Sequence, residues 1–349
     1  MRFAFSEDQQ LLQGTVREFL RKECAPETVR ALWADPRGHA PALWARLAEL
    51  GVLGALVPEA QGGLALDERD LVLLLEEVGR AALPGAVAAS AAVAVPLLRE
   101  LGGATAERWL ARVAAGEAIA VVGHPANPFV TDAHLADLLL LARADELHAV
   151  EAEAVRLVRQ PANDPGRRLY AVEWQASDAA IVARGGVAEG LLAGAFERGA
   201  LACAAQLLGA AERMLELAVA YASQREQFGR PIGSFQAVQH QLADVKVRLE
   251  YARPVVYKAA WSLATGAATR GVDVSHAKLA AGDAAALAAR RALQAHGAIG
   301  YTWEQDLHLW MRRAWSLALE WGAAPLHLER VSRFVRADGA PIGPGRTFA

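Results

Sequence analysis

The fold is decided by one long apolar stretch, Leu191–Gln224, which reads LLAGAFERGALACAAQLLGAAERMLELAVAYASQ. The stretch contains no proline, and its many alanines, leucines and glutamates favour a continuous helix. A helix of about 30 residues spans roughly 45 Å, a length typical of helix bundles rather than of a lone surface helix. This stretch therefore predicts a helix bundle in the second half of the chain.

Long helical patterns continue after this stretch and support the same prediction. They cover Phe235–Thr265, Asp273–Gly297, Gln305–Leu319 and Pro325–Val335. Pro254 lies inside the first of them and is expected to bend its helix, because proline removes a helical hydrogen bond. We predict a C-terminal four-helix bundle over residues 187–336 and an extended, Gly- and Pro-rich tail over residues 337–349.

The region before the bundle shows a strand-and-turn pattern, because short apolar runs alternate there with Asp, Asn, Pro and Gly. The runs are Ala118–Gly123, Phe129–Thr131, Leu138–Ala142, Leu147–Ala152, Ala154–Arg159 and Leu169–Trp174. Helical patterns return nearer the N-terminus, at Glu7–Lys22, Pro41–Leu50, Glu68–Gly79, Gly85–Leu101 and Ala104–Ala115. Ser6 is an N-cap residue for the first helix, and Gly51 ends the second. The prediction is a mainly α protein, with an N-terminal helical domain over residues 1–116 and a small β domain over residues 117–186.

Composition excludes several classes of function. The net charge is −3 with acids and bases interspersed, which argues against a nucleic-acid partner. Only Cys24 and Cys203 are present, and the nine histidines form no ligand cluster, so neither a disulfide framework nor a metal site is expected. The longest uncharged stretch, Ala81–Leu98, is broken by proline and glycine, so we expect a buried helix and no membrane span. The first residues lack the apolar core of a secretory signal, and a cytoplasmic location is predicted.

Four short motifs carry the chemical information. They are LGVLGALVPEAQGG at Leu50–Gly63, FVTD at Phe129–Asp132, REQFGRPI at Arg225–Ile232 and QAHGAIGYT at Gln294–Thr302. An arginine guanidinium such as that of Arg225 pairs bidentately with phosphate oxygens, and Gly229 lets the backbone approach a ligand closely. Backbone N–H groups in a glycine-rich turn such as residues 297–300 form a concavity that binds anions.

Together these motifs resemble the acyl-CoA dehydrogenase family, and the resemblance extends from Phe5 to about Val335. It implies an α-helical flavoprotein that binds FAD between subunits and oxidises an acyl-CoA thioester, with an electron-transfer flavoprotein as acceptor. The resemblance places Thr131 against the flavin ring in its own subunit. The residues that it places at the FAD of a neighbouring subunit are Arg225, Phe228, Gly229, Gln236, Gln294 and Gly297.

The sequence departs from the family at the catalytic base. In the family a glutamate removes the α-proton, and its two known positions correspond here to Trp321, before Gly322, and to Gly199. Neither residue can accept a proton. Glu320 is the single catalytic candidate, but one residue on a helix is a rotation of about 100°, so it is expected to point elsewhere unless the chain bends. Glu197, two residues from the second position, is expected to be solvated or salt-bridged.

The sequence also lacks several of the residues that contact the flavin within the same subunit in the family. Val121–Pro128 leads directly to Phe129, where the family has a Thr-Glu-Pro and Gly-Ser-Asp stretch, and about two strands are missing. The polar residues that follow the C-terminal base position in the family are Ala323, Ala324 and Pro325 here. The residues that would contact a neighbour's FAD are intact.

Three interpretations follow from this asymmetry. The first is a shortened subunit of a hetero-oligomer that lends FAD contacts to a homologous catalytic partner, like the short subunits of heteromeric acyl-CoA dehydrogenases. The second is a self-sufficient, homo-oligomeric acyl-CoA dehydrogenase, and the third is a flavin-free helical scaffold. An assembly through the C-terminal bundle, a dimer of dimers, is expected because a monomer could not bury helices as apolar as Leu191–Leu217.

Overall fold

The computed structural model describes residues 4–340. This part of the chain contains eleven α-helices and nine short strands, which confirms the prediction of a mainly α protein with a small β region. The last nine residues of the predicted tail lie outside the described residues. The helices are α1 (Glu7–Glu23), α2 (Pro26–Ala34), α3 (Pro41–Glu49), α4 (Glu68–Arg80), α5 (Val95–Leu101), α6 (Gly103–Ala114), α7 (Gly185–Gln224), α8 (Gln236–Ala264), α9 (Arg270–His296), α10 (Leu307–Leu319) and α11 (Ala324–Arg336).

Local sequence signals set several helix boundaries as predicted. Ser6 begins α1 with a capping box, in which its Oγ accepts from Gln9 N at 3.2 Å and Gln9 Oε1 accepts from Ser6 N at 2.9 Å. Gly51, with a φ of +78°, follows the end of α3, where a left-handed residue lets the chain turn. Pro254 is accommodated inside α8, which runs without interruption from Gln236 to Ala264.

Four elements were not predicted, and one predicted helix begins late. Helix α2 and the strands β7 (Ile181–Arg184), β8 (Glu226–Gln227) and β9 (Arg230–Pro231) have no counterpart in the sequence prediction. The helix expected over Gly85–Leu101 instead begins after Gly85, whose φ is +103°, and it opens with a π-helical segment, Ala88–Ala94. Segments of this kind are rare and frequently occur at functional sites.

The strands form two small sheets and a hairpin. Their bounds are β1 (Ala120–Gly123), β2 (Val130–Thr131), β3 (Leu138–Arg143), β4 (Glu146–Glu151), β5 (Val155–Gln160), β6 (Leu169–Trp174), β7 (Ile181–Arg184), β8 (Glu226–Gln227) and β9 (Arg230–Pro231). One sheet has the order β1-β3-β4-β7, with β1 and β3 parallel, and the other has the order β2-β6-β5. The register Val130↔Tyr170 and Thr131↔Leu169 fixes β2 at the edge of the second sheet, beside the bundle.

Helix α7 is the central element of the bundle, packed against α4, α8, α9 and α10. Its apolar face is buried within one chain, so the expectation that a monomer could not bury Leu191–Leu217 was wrong. The same helix is long and apolar enough to cross a membrane. However, 67% of its most apolar window is buried inside the protein, as in the core helix of a bundle.

Helices α4 and α7 cross at glycines that bring their backbones into direct contact. A Cβ added to Gly209 would lie 1.8 Å from Glu76 O and 2.6 Å from Arg80 N. A Cβ on Gly79 would lie 2.1 Å from Gln206 O. The N-terminal helices and the bundle are therefore joined at a crossing that has no room for a side chain on either helix.

Candidate functional site

The chain bends sharply where α10 ends. The helix stops at Leu319, Glu320 is extended with φ −74° and ψ 144°, Trp321 is left-handed with φ +54°, and Gly322 has φ +93°. Because the helix does not continue, the rotation expected for an ideal helix does not apply. The side chain of Glu320 points into a cleft between the β region and the bundle, which corrects the expectation that it would point elsewhere.

Three side chains hold this bend through its backbone. Lys278 Nζ donates to Leu317 O at 2.8 Å and to Glu320 O at 2.5 Å. His327 Nε2 lies 2.9 Å from Trp321 O, and since a carbonyl only accepts, this nitrogen carries the proton. Asn127 Oδ1 accepts from Trp321 N at 2.9 Å. Burial lowers the pKa of His327 to about 4, so the imidazole is neutral near pH 7.

The carboxylate of Glu320 is already occupied. Thr131 Oγ1 donates to Oε1 at 2.7 Å, and Arg167 Nε lies 3.2 Å from Oε2, with the Glu320 side chain only 13% exposed. Both oxygens of this carboxylate are therefore engaged by neighbouring side chains of the same chain. The structure thus brings together Thr131 and Glu320, both predicted site residues, and they form a hydrogen bond with each other.

The two positions that correspond to the family's base are in direct contact with each other at the wall of the cleft. A Cβ on Gly199 would lie 2.2 Å from the indole of Trp321, which is itself buried. The tryptophan therefore occupies the space that a side chain on α7 would need. Glu197 faces a different direction and pairs with Arg270 at 3.0 Å and Arg330 at 3.9 Å, which confirms that it is salt-bridged.

The cleft itself is small. Its cavity volume is about 60 Å³, and its walls come from the π-helical segment, β1, α7 and the end of α10. Both charged and apolar side chains line it. They are Ala88, Ala89, Val93, Val121, Val122, Asn127, Thr131, Asp132, Arg167, Cys203, Arg313, Leu317, Glu320 and Trp321, among others. Burial raises the pKa of Asp132 to about 7 and that of Cys203 to about 12.

The other predicted cofactor residues lie together at the far end of α7. Arg225 ends this helix, and Phe228 and Gly229, with φ values of +54° and +78°, form the turn of the β8–β9 hairpin. The ring of Tyr221, one helical turn before Arg225, stacks on His296 at 4.5 Å. This contact places the hairpin beside the end of α9.

The surface formed by these two segments is open. Gln294 lies in the last turn of α9, and Gly297 follows it with a φ of +64°. Nothing lies within 4 Å of a Cβ built on either Gly229 or Gly297. Phe228 is 92% exposed, and its ring lies edge-on to that of Phe235, with centroids 6.1 Å apart. Gln236, the first residue of α8, is exposed as well. We name this group, Arg225–Gln236 with Gln294–Gly300, the hairpin surface.

The cleft and the hairpin surface are far apart on the same chain. Gly199 lines the cleft and Arg225 begins the hairpin surface, 26 positions later along α7. At 1.5 Å per residue, this corresponds to about 39 Å. The predicted cofactor residues therefore form two separate groups, with Thr131 in one and the rest in the other.

The sequence analysis missed Arg167 and Arg313, which line the cleft, and Lys278, which holds the bend beside it. Lys278 carried a signal, because it lies on the buried face of α9 between Val274 and Ala281, where a charged residue requires partners. Arg313 carried the same kind of signal in α10. Arg167 lies in an irregular connection before β6 and carried none.

Comparison with known proteins gives consistent matches over nearly the whole chain. The sequence pattern described as Acyl-CoA dehydrogenase, N-terminal domain, matches residues 6–117, and that described as Acyl-CoA dehydrogenase, C-terminal domain, matches residues 190–335. Acyl-CoA dehydrogenase IpdE2 of Mycobacterium tuberculosis is 35% identical over 313 residues, which is 88% of this chain and 91% of that protein.

Two solved structures have the same fold. The Tcur3481–Tcur3483 steroid acyl-CoA dehydrogenase is 27% identical, with a TM-score of 0.85 over 94% of this chain and 98% of that chain. The ChsE4–ChsE5 complex from Mycobacterium tuberculosis is 25% identical, with a TM-score of 0.85 over 96% of this chain and 99% of that chain.

Proposed function

This chain belongs to the acyl-CoA dehydrogenase family of FAD-dependent oxidoreductases, and we propose that it serves there as the FAD-contact-supplying subunit of a hetero-oligomer that dehydrogenates an acyl-CoA thioester. The observation that carries the proposal is the contrast between the chain's two candidate cofactor regions. The hairpin surface is open and about 39 Å from the cleft, whereas the cleft is nearly filled by the chain's own side chains.

The hairpin surface fits the phosphate groups of FAD. Arg225 has no acidic partner within the described residues, so its guanidinium is available to phosphate oxygens. The left-handed Phe228 and Gly229 present backbone N–H groups without an obstructing side chain. FAD, when bound, supplies the acceptor for the hydride that leaves the thioester's β-carbon. The residues of this surface would hold and orient it.

The cleft does not fit the flavin ring. Thr131, which the family resemblance places against the ring, donates a hydrogen bond to one oxygen of the Glu320 carboxylate. Arg167 pairs with the other oxygen of the same carboxylate. A cavity of about 60 Å³ holds a few water-sized groups, since one water needs roughly 10–15 Å³. In this proposal, the dehydrogenation does not take place in this chain's own cleft.

The relatives support a two-chain arrangement. IpdE2 is similar in length, since the match covers 91% of it, and the ChsE4–ChsE5 structure is a complex of two differently named chains. By analogy, the catalytic glutamate and the flavin ring pocket would come from a homologous partner, with acyl-CoA as substrate. An electron-transfer flavoprotein as acceptor and a cytoplasmic location remain part of the proposal.

One observation favours the alternative of a self-sufficient enzyme. The bend after α10 does turn Glu320 toward the cleft, as a catalytic base would require. Against this, both oxygens of its carboxylate are engaged by Thr131 and Arg167. Glu320→Gln separates the two alternatives, because only a self-sufficient enzyme depends on this carboxylate.

Replacing Arg225 is expected to lower the flavin content of the assembled complex. Losing a charge-assisted phosphate contact costs about 1.5–3 kcal/mol, or about ten- to a hundredfold in FAD affinity. We expect Arg225→Ala to lower the flavin absorbance per complex at limiting FAD, without changing the melting temperature of the isolated chain.

The matched control is Arg143→Ala, since Arg143 is an exposed arginine at the end of β3, outside the hairpin surface. Equal flavin occupancy in both variants and the wild type would show that Arg225 is only a surface residue.

An assembly through the bundle is also expected, although for a different reason from the one given by the sequence. A site divided over about 39 Å within one chain needs a second chain to become complete. Helix α8 leaves Val247 and Tyr251 exposed by 54% and 75%, respectively, which suits a subunit contact. Sedimentation equilibrium of the complex at micromolar concentration should give a dimer or a dimer of dimers, and a monomer would contradict the expectation.

A further inference from the structure

A second cavity lies where the N-terminal helices meet the bundle, apart from both the cleft and the hairpin surface. Its walls come from α1, the corner between α1 and α2, the end of α4, and the facing sides of α7 and α10. Its volume is about 180 Å³, three times that of the cleft. Arg213, which lines it, lies 14 positions after Gly199 and 12 before Arg225, which is about 21 Å and about 18 Å along α7. We name this space, around Leu20, Arg80, Ala81, Arg213 and Trp310, the junction cavity.

Part of the wall of the junction cavity is apolar and aromatic. Leu20, Cys24 and Trp310 line it and are almost fully buried. The guanidinium of Arg213 lies over the Trp310 indole, with its central carbon 5.4 Å from the ring centroid. Indole and guanidinium groups are both planar, and both stack on aromatic rings. Since an apolar cavity of about 150 Å³ is large enough for a benzene molecule, the junction cavity has room for one planar ring.

The hydrogen-bonding groups of the junction cavity are mainly donors. Its carboxylate, Glu77, is engaged, because Oε1 and Oε2 accept from Arg17 at 2.7 Å and 3.0 Å, respectively. Arg213 uses only its Nη1, in an ion pair of 3.2 Å, so its Nε and Nη2 donate to no acceptor in the described part of the chain. A ligand that forms a hydrogen bond here must therefore bring an acceptor.

The charges around the junction cavity are balanced, so the net charge does not favour an anion. Each arginine on the wall has an acidic partner. The pairs are Arg17 with Glu77, Arg21 with Glu18, Arg80 with Glu212 and Glu216, and Arg213 with Glu216. Glu212 is shared with Arg253, which has a second partner in the buried Glu76. A neutral ligand is therefore favoured over a charged one, since burial of an unpaired charge is costly.

The volume, the free donors and the balanced charge together define the ligand. We propose that the junction cavity binds a small neutral compound that has one planar ring and a carbonyl oxygen. The ring packs against Trp310, and the oxygen accepts a hydrogen bond from Arg213. The walls belong to both α4 and α7, whose backbones touch at Gly79 and Gly209, so the bound compound also holds the N-terminal helices against the bundle.

The test is calorimetric titration of the full chain with three ligands of similar size. Benzamide is neutral and planar, cyclohexanecarboxamide carries the same amide on a ring that is not planar, and benzoate is the planar anion. Benzamide should bind about two- to tenfold more tightly than cyclohexanecarboxamide, which cannot stack on an indole. It should also bind more tightly than benzoate, whose carboxylate loses its hydration without meeting an unpaired cation. Any other order of affinities, or no binding of benzamide, overturns the proposal.

A variant that fills the cavity tests where benzamide binds. Ala81 lines the cavity at the end of α4, and Ala81→Leu should abolish detectable binding. The matched control is Ala115→Leu, since Ala115 ends α6 with φ −73° and ψ −8°, close to the −81° and −7° of Ala81, and is exposed. The control should bind benzamide as the wild type does. Undiminished binding in a folded Ala81→Leu variant would place the ligand elsewhere and overturn the proposal.

A second variant tests the named hydrogen bond and remains decisive if Ala81→Leu does not fold. The side chain of Arg213 is 35% exposed, so Arg213→Ala should leave the helical circular dichroism unchanged. Loss of one hydrogen bond should weaken benzamide binding about two- to tenfold. Equal affinity in the wild type and in Arg213→Ala contradicts the proposal.

These measurements need neither FAD nor a partner subunit, and the residues named around the junction cavity lie outside both the cleft and the hairpin surface. A failure here therefore leaves the proposed function untouched, and the two are tested independently.

Discussion

Purified alone, the chain is expected to show no appreciable oxidation of acyl-CoA thioesters with a dye acceptor. The α-proton of a thioester is weakly acidic, and loss of a positioned base typically costs about 10²–10⁴-fold in rate. Here Gly199 and Trp321 stand at the two base positions, and Glu320 is held by Thr131 and Arg167. Co-expression with a homologous full-length subunit should restore turnover, measured over a panel of acyl-CoA chain lengths.

The control for this expectation is Glu320→Gln, which preserves the shape of the side chain and removes its charge. In the proposed complex, turnover should survive this substitution. Rapid turnover by the wild-type chain alone, abolished by Glu320→Gln, would identify Glu320 as the base and contradict the partner-subunit proposal.

Gly209→Ala is expected to destabilise the protein by about 3 kcal/mol, at the upper end of the usual cost of overpacking. A methyl group at this position would meet Glu76 O at 1.8 Å, and a backbone carbonyl cannot rotate away as a side chain can. Helices α4 and α7 would have to separate, which would disturb the joint between the N-terminal helices and the bundle. The midpoint of denaturant unfolding, followed by helical circular dichroism, measures the effect.

Gly190→Ala provides the same substitution on the same helix at an exposed site with nothing within 4 Å. Alanine is the better helix former by up to about 1 kcal/mol, so this variant should be slightly more stable than the wild type. If both variants shift the midpoint equally, the close approach of α4 and α7 does not limit stability.

Much of the fold could be predicted because its signals are local. The Ala- and Leu-rich run of α7, the capping box at Ser6 and the helix-ending Gly51 depend on neighbouring residues only. The nine-residue α2 and the four-residue β7 were missed because elements this short show too few repeats of a helix or strand period.

The candidate site was harder to predict because its geometry depends on residues distant in sequence. The rotation calculated for Glu320 assumed a continuing helix. The bend that overturns this assumption is held by Lys278, 42 positions from Glu320, and by Asn127, 194 positions from Trp321. The hairpin surface lies in a local turn, and its motif could be read directly from Arg225 to Gly229. Its role toward FAD stays a prediction.

The contact between Gly199 and Trp321 also limits how this chain could regain a base in the course of evolution. A glutamate introduced at Gly199 alone would collide with the indole, since even a Cβ there lies 2.2 Å from the ring. A glutamate introduced at Trp321 alone would leave a cavity above Gly199, with the loss of packing that large-to-small changes in a core bring. Each single substitution therefore costs stability, either through a collision with the indole or through a cavity, and this cost opposes the recovery of a base.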